Sequence, residues 1–262
     1  MKKKIALLLA VITLAASMFA FAGCSKTEKT DLDYIKENGK LVIGVTDFAP
    51  MDYKDKNGQW IGFDADMAKA FAKSLGVEAE IVEINWDNKV LELNNKSIDC
   101  VWNGMTLTDE VTSAMACSKA YCDNAQVVIV NKDAADKYKT AEDCKALNFA
   151  VEKGSAGEEQ AEANGFKFTA VDNQAKTLLE VKSGNCDAAI IDSLMAGAMI
   201  GEGTDYADLV ATVALNSEKY GVGFRQGSNL ADELNKFFEA SAADGTMAKI
   251  AETYGVQEAL IK

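Results

Sequence analysis

The sequence has 262 residues and is strongly acidic, with 40 aspartates and glutamates against 27 lysines and arginines and a net charge of −13. A surface this acidic argues against nucleic acid or an anionic membrane surface as a partner. The chain contains no histidine, which excludes the Ser-His-Asp and Cys-His schemes of nucleophilic catalysis. No phosphate loop, dinucleotide fingerprint or zinc-site spacing is present. We therefore expect a binding protein without catalytic residues, metal or cofactor.

The N-terminal segment has the features of an export signal. Three lysines precede an uncharged apolar run over 5–22, and Gly23 and Cys24 follow. This order of basic, apolar and small residues predicts a signal peptide over 1–23. The letters "FAGC" resemble the lipobox of bacterial lipoproteins, in which the cysteine becomes lipid-modified. We expect lipid on Cys24, a polar tether over 24–30, and a location outside the cytoplasm at the cell membrane. A transmembrane anchor is the alternative.

The remainder of the chain alternates short apolar runs with amphipathic segments, a pattern that predicts an α/β fold. Strands are predicted at 40–45, 79–84, 126–130, 148–151, 166–171 and 187–191. Helices are predicted at 87–95, 174–183, 194–200, 230–242 and 247–254.

The segment 51–63 predicts a β-hairpin. Its Asn57-Gly58 pair suits the positive φ angles of a type I′ turn. Asp64 follows and is expected to cap the next helix, which Gly76 should end.

Three stretches place polar residues where a strand gives way to a helix, and α/β proteins place ligand contacts at such points. In "DCVWNGMTLTDEV" a strand breaks at Asn103-Gly104 and a hydroxyl follows at Thr106. In "VEKGSAGEE" small residues around Ser155 open a helix whose amide groups can face an anion, although an ordinary serine cap also explains them. In "CDAAIID" Asp192 ends a strand, where it could cap the next helix or meet a cationic ligand.

The adjacent carboxylates Asp109-Glu110 and Glu158-Glu159 are interpreted as solvated faces. Neighbouring side chains diverge on a helix or strand, so these pairs do not predict acid-base chemistry.

Besides Cys24, the chain has an odd number of cysteines, which does not suit a full disulfide framework. They are Cys100, Cys117, Cys122, Cys144 and Cys186. Cys100 and Cys186 lie in strand-like contexts and are expected to be small buried hydrophobes. Cys117 and Cys122 could pair.

Five motifs occur in order from about residue 31 to the C terminus: "IGFDADMAKAF", "DCVWNGMTLTDE", "EKGSAGEE", "CDAAIID" and "LNKFFEASAADGTMAKIAETYGV". Together they resemble the extracellular solute-binding proteins of polar-amino-acid ABC importers, bacterial solute-binding protein family three. The resemblance implies a two-lobed, type II periplasmic-binding-protein fold, in which each lobe is a mixed sheet flanked by helices. Two crossover strands join the lobes, and a hinge motion closes them on the ligand. It implies a first lobe over 31–124 and 213–262 and a second over 125–212.

The resemblance also implies roles for individual residues of the first lobe. Phe48 and Trp86 correspond to the groups that sandwich the ligand side chain, although Trp86 could instead be core packing. Asn103 and Gly104 correspond to backbone contacts with the ligand.

Four further positions correspond to contacts with an amino-acid head group. Thr106 corresponds to a hydroxyl that accepts from the ligand ammonium, and Asp192 to the carboxylate that pairs with it. Ser155 and Ala156 correspond to amides that hold the ligand carboxylate.

The sequence departs from the family pattern at Val111. The family normally has an arginine there, which grips the ligand carboxylate with two hydrogen bonds. The only arginine of this chain is Arg225, at a position without a ligand role in the family. Either the solute has no α-carboxylate, or Lys89 or Lys119 reaches the site with a more flexible point charge.

We therefore expect a lipid-anchored protein that captures an amino acid or related small nitrogenous solute and delivers it to an ABC permease. The alternatives are a binder of a cationic amine that lacks an α-carboxylate, a ligand-sensing domain, and a dehydratase-like enzyme on the same fold. The absence of histidine counts against the enzyme.

Overall fold

The structure, a computed structural model, describes residues 29–261. The predicted signal peptide over 1–23 and the predicted lipid site at Cys24 lie outside the described residues. Residues Asp31–Lys262 form one compact unit. Across the described part of the chain, no helix combines the length and the apolar character needed to cross a membrane.

The strands and helices alternate along the chain, as the sequence pattern predicts. The strands are β1 (Lys40–Val45), β2 (Tyr53–Lys54), β3 (Trp60–Ile61), β4 (Glu78–Glu83), β5 (Cys100–Thr106), β6 (Ala116–Cys117), β7 (Cys122–Asn124), β8 (Gln126–Asn131), β9 (Asn148–Glu152), β10 (Lys167–Val171), β11 (Ala188–Asp192), β12 (Leu209–Ala214) and β13 (Glu218–Phe224). The helices are α1 (Asp31–Asn38), α2 (Phe63–Leu75), α3 (Lys89–Asn94), α4 (Asp109–Ala114), α5 (Ala156–Ala163), α6 (Gln174–Lys182), α7 (Ser193–Met199), α8 (Leu230–Ala243) and α9 (Thr246–Tyr254).

The first lobe is built on a mixed sheet in the order β4-β1-β5-β13-β6, with β7 also paired to β13. Strand β1 runs parallel to β4 and β5, whereas β13 runs antiparallel to β5. The first six residues of β5 are buried, as expected for a strand covered on both faces. The edge strand β4 exposes Glu78, Glu80 and Glu83.

The second lobe is built on a sheet in the order β10-β9-β11-β8-β12. Strand β9 is parallel to β10 and β11, and β8 is antiparallel to β11 and β12. Helices α5 and α6 pack on β9 and β11. Strand β12 reaches Ala214, so the second sheet extends slightly past the boundary expected at 212.

The chain crosses between the lobes twice, and the two crossings lie side by side. The first crossing joins β7 to β8, and the second joins β12 to β13. The amide of Gln126 donates to Asn216 Oδ1 at 2.7 Å, and the amide of Leu215 donates to the carbonyl of Gln126 at 2.8 Å. The two crossovers therefore hold one another by hydrogen bonds.

The prediction that Asp64 caps a helix is wrong. Helix α2 begins after Gly62, without a side-chain cap. Asp64 is instead fully buried, and its Oδ2 accepts from the amide of Gly104 at 2.6 Å and from the hydroxyl of Tyr121 at 2.7 Å. These two distant donors are buried groups that need an acceptor, and this need outweighs the local capping preference.

The predicted hairpin is present, but its turn is not type I′. Strands β2 and β3 pair as predicted. Gly58 has a φ of 78°, whereas Asn57 is not among the residues with positive φ. The loop is held by Asp55, whose Oδ1 accepts from the amides of Asn57 and Gln59 at 2.8 Å each. This side-chain acceptor favours a longer loop over the two-residue turn.

The five described cysteines are free thiols. Cys100 and Cys186 are buried, as predicted. Cys117 on β6 is half-buried and Cys122 on β7 is buried, and the pairing left open by the sequence does not form.

Candidate functional site

All eight residues that the resemblance assigns to a ligand line one cleft between the two lobes. They are Phe48, Trp86, Asn103, Gly104, Thr106, Ser155, Ala156 and Asp192. The first five come from the first lobe and the last three from the second. Sequence positions that are far apart are therefore brought together by the two crossovers.

Contacts across the cleft hold its walls close together. The ammonium of Lys89 on α3 donates to the carbonyl of Gly154 in the second lobe at 2.8 Å. Lys153 Nζ lies 2.9 Å from Asp87 Oδ2, and this pair is solvent-exposed, so it contributes little to stability. The lobes are in a closed arrangement.

Asp192 lies buried at the end of β11 and is surrounded by donors. Its carboxylate accepts hydrogen bonds from Asn124, Gln126, Gln174 and Tyr220. Burial, followed by the nearby Glu218 carboxylate, raises the pKa of Asp192 to about 7. Asp192 precedes α7 but makes no side-chain capping bond, so the capping alternative is wrong.

The hydroxyl of Thr106 is oriented by a residue that the sequence did not single out. Thr106 Oγ1 donates to Glu218 Oε1 at 2.8 Å. Because its proton is used in this bond, the hydroxyl oxygen can accept from a ligand donor. Glu218 also accepts from Gln126 Nε2 at 2.8 Å. It begins β13 in the return segment, which carries no local motif that would identify it.

Asn103 and Gly104 lie within β5, which continues to Thr106, so the strand break predicted at these residues is wrong. Asn103 Oδ1 accepts from the amide of Thr46 at 3.0 Å, and its Nδ2 donates to Asp52 at 2.8 Å. Its side chain is therefore structural. Gly104 has a φ of 55°, and a Cβ there would lie 2.4 Å from Phe48 Cε1. Glycine at this position lets the Phe48 ring lie against the strand.

Trp86 packs in the core of the first lobe and also lines the cleft. Its apolar cluster includes Val111 and Leu93. Lys89 Nζ lies 4.9 Å from the centroid of the Trp86 ring, a distance suited to a cation–π interaction.

Val111 lines the cleft, and Lys89 supplies a positive charge in the same space. Lys89 is 8% exposed. Lys119 is exposed and pairs with Glu239 at 2.8 Å, and it does not line the cleft. Arg225 is buried elsewhere in the first lobe, paired with Asp31 and Asp99. Among the described residues lining the cleft, Lys89 is the one cation.

Ser155 and Ala156 form the start of α5. The Ser155 hydroxyl accepts from the amide of Glu158 at 3.2 Å, so the serine cap is present. The Ser155 amide donates to the carbonyl of Glu152 at 3.3 Å. Ala156 begins the helix and lines the cleft, where the first amides of a helix have no intrahelical acceptor.

Three further carboxylates line the cleft and were not predicted. Glu110 and Glu159 are exposed, as the interpretation of solvated faces predicts, but both also line the cleft. Glu152 is buried at the end of β9. Burial, followed by the nearby Asp192, raises the pKa of Glu152 to about 8. Its position at the carboxyl end of a parallel strand was the available signal.

The titratable side chains lining the cleft are mainly acidic. The carboxylates of Glu110, Glu152, Glu159 and Asp192 lie around the single ammonium of Lys89. Burial lowers the pKa of Lys89, and the Glu152 carboxylate opposes this effect. A cleft lined in this way favours a solute with positive charge.

Comparison of the sequence with known families and proteins gives consistent matches. The model of the bacterial extracellular solute-binding proteins, family 3, matches residues 41–257. The arginine-binding extracellular protein ArtP of Bacillus subtilis is 29% identical over 259 residues, which cover 95% of this chain and 96% of that protein. The ABC transporter glutamine-binding protein GlnH of Bacillus subtilis is 33% identical over 258 residues, 93% of this chain and 92% of that protein.

Solved structures match over similar lengths. A mutant of ArgBP from T. maritima has a TM-score of 0.79 and 34% identity, covering 85% of this chain and 98% of that one. A substrate-binding protein of an ABC uptake transporter from Streptococcus pneumoniae, with bound histidine, has a TM-score of 0.81 and 26% identity. The match covers 90% of this chain and 100% of that one. An ancestral amino acid-binding protein, described as a precursor of cyclohexadienyl dehydratase, has a TM-score of 0.78 and 35% identity, covering 86% and 99%.

Proposed function

Because the chain belongs to the bacterial extracellular solute-binding proteins of family 3, we propose that it captures a cationic amino acid between its lobes and delivers it to an ABC importer. Relatives named for binding arginine, glutamine or histidine support an amino acid as the solute. They also support binding rather than catalysis.

The acidic lining of the cleft is the observation that carries this proposal. Four carboxylates and one ammonium line the space in which the predicted ligand residues meet. An anionic side chain would place a like charge among these carboxylates, and a neutral one would leave the buried Glu152 without a cationic partner, which is costly away from water. A cationic solute removes that cost, so the cleft discriminates by the sign of charge.

The head group of the amino acid would lie between two kinds of contact. Asp192 and the Thr106 hydroxyl would receive the α-ammonium. Lys89 and the start of α5 at Ala156 would receive the α-carboxylate. Lys89 would then take the place of the arginine that the family has at the position of Val111. Its ammonium is a point charge, whereas a guanidinium makes two parallel hydrogen bonds.

Titration calorimetry of wild type and Lys89→Met, with lysine and with cadaverine, the decarboxylated form of lysine, tests this arrangement. We expect Lys89→Met to weaken lysine binding by about 1.5–3 kcal/mol, the usual loss for a charge-assisted hydrogen bond. Binding of cadaverine should weaken less or not at all, because the variant removes no carboxylate contact and the lost hydrogen bond to Gly154 is offset by the removal of a positive charge.

Lys119→Met is the matched control, since Lys119 is exposed and does not line the cleft. It should leave both affinities unchanged. Equal losses for lysine and cadaverine in Lys89→Met would contradict the role of Lys89. Tighter binding of cadaverine than lysine to wild type would support the alternative of a solute without an α-carboxylate.

Lipid on Cys24 would keep the protein at the outer face of the cell membrane, beside the permease. The basic, apolar and small residues that end in "FAGC" support this proposal. Mass spectrometry of the protein purified from its native membrane should find a mature N terminus at Cys24 carrying a diacyl group. An unmodified chain that retains Met1 would contradict it.

A further inference from the structure

Glu152 is a buried carboxylate in the cleft whose hydrogen bonding is incomplete. It is 3% exposed, it lines the cleft, and its Oε1 has no hydrogen-bond partner among the described residues. Buried polar side-chain atoms in folded proteins nearly always have a partner. The incomplete bonding therefore indicates a group that receives something the chain itself does not supply.

Lys89 offsets only part of the cost of burying Glu152, because its ammonium lowers the pKa of Glu152 but burial and the Asp192 carboxylate outweigh it. The Lys89 ammonium donates to the carbonyls of Gly154 at 2.8 Å and Trp86 at 3.4 Å. The Asp192 carboxylate is also close enough to raise the pKa of Glu152. With its pKa raised to about 8, Glu152 keeps its proton at neutral pH before a solute binds, and a further cation beside it would stabilise the ionised form.

Glu152 and Asp192 are close in the fold but differ in the hydrogen bonds that their carboxylate oxygens accept. Glu152 ends β9 and Asp192 ends β11, and these are adjacent parallel strands, whose backbones lie about 4.8 Å apart. Asp192 has donors on both of its oxygens. A small solute that contacts Asp192 with one end can therefore reach Glu152 with the other.

We propose that Glu152 binds a second cationic group at the far end of the solute, so that the cleft selects solutes with two positively charged groups. This inference rests on the proposed function, in which the first cationic group lies at Asp192. The distal group is an ammonium or a guanidinium, either of which donates to a carboxylate oxygen.

A comparison of lysine with norleucine isolates the distal charge, because norleucine has the same carbon chain without the distal ammonium. Calorimetry of wild type should show lysine binding about thirtyfold or more tightly than norleucine. In Glu152→Gln, which keeps the size of the side chain and removes its charge, this preference should fall to about threefold or less. The change should come from weaker lysine binding.

Glu162→Gln is the control for a general loss of negative charge, since Glu162 is an exposed carboxylate of α5 that does not line the cleft. We expect it to keep the preference for lysine within about threefold of wild type, as for an exposed charge.

Glu152→Gln should also fold. Because burial raises the pKa of Glu152 to about 8, its stabilising contribution is present at low pH and is lost as the pH rises through about 8. Glutamine removes that loss, so the variant should unfold at an equal or higher temperature at alkaline pH.

Three results separate this inference from the proposed function. If wild type prefers lysine over norleucine and Glu152→Gln keeps both that preference and the lysine affinity, the inference is wrong and the proposed function stands. If Glu152→Gln weakens both solutes equally, Glu152 shares the α-ammonium with Asp192, and the inference is again wrong. If wild type binds neither these solutes nor cadaverine, both the inference and the proposed function fail.

Discussion

Asp192→Asn should weaken binding of lysine by about 2–5 kcal/mol, the range for removing one partner of a desolvated charge pair. The substitution removes the negative charge that would face the α-ammonium but keeps the size and one acceptor oxygen of the side chain. Three of the four donors to Asp192 reach Oδ1, and an asparagine oxygen can retain them. The fourth donor, the side-chain amide of Gln174, would face the NH2 group of the asparagine and lose its acceptor. We therefore expect a loss of about 1–3 kcal/mol in the free energy of unfolding.

Calorimetry measures the affinity, and urea unfolding measures the stability of the same preparations. Asp187→Asn is the matched control, because Asp187 directly precedes the same strand and is exposed, accepting from the amide of Asn148 at 2.9 Å. It should change lysine affinity by less than about threefold. A similarly small change in Asp192→Asn would show that Asp192 organises the crossovers without receiving a ligand charge.

The two-lobed α/β fold was predictable because its signals are local or continuous along the chain. Buried strands such as β8 and β11 are apolar runs in the sequence. The order of the motifs implied the periplasmic-binding-protein fold, which the solved structures of relatives confirm. Gly76 and Gly255 end their helices in the left-handed conformation, as their positions predict.

The residues that sequence reasoning missed depend on contacts between distant segments. Glu218 meets Thr106 only because β13 returns beside β5. Asp64 looks like a local helix cap, but the donors of Gly104 and Tyr121 bind it. No local pattern encodes these partners.

Lys89 and Glu152 show a second limit of the sequence. The sequence offered Lys89 and Lys119 alike as a cation for the site, and only the fold shows that α3 brings Lys89 across to Gly154 while Lys119 does not line the cleft. Glu152 lies within a motif that was singled out for its small residues, and its unpartnered oxygen is visible only in the structure. The charge of a cleft depends on which side chains the two lobes turn toward each other.

The acidic lining should make the charge of the solute side chain the strongest determinant of affinity. Lysine and glutamate share the same amino-acid head group and differ mainly in the charge at the far end. The side-chain carboxylate of glutamate would lie among Glu110, Glu152 and Glu159. Bringing like charges together in this way costs several kcal/mol. We therefore expect wild type to bind lysine at least about a thousandfold more tightly than glutamate.

Calorimetric titration of the wild-type protein with lysine and with glutamate, in the same buffer at neutral pH, is the most direct test of a cation-selective cleft. Lysine should give a saturable one-to-one isotherm, and glutamate should give no measurable binding at the same concentrations. Binding of glutamate with an affinity equal to or above that of lysine would contradict the account.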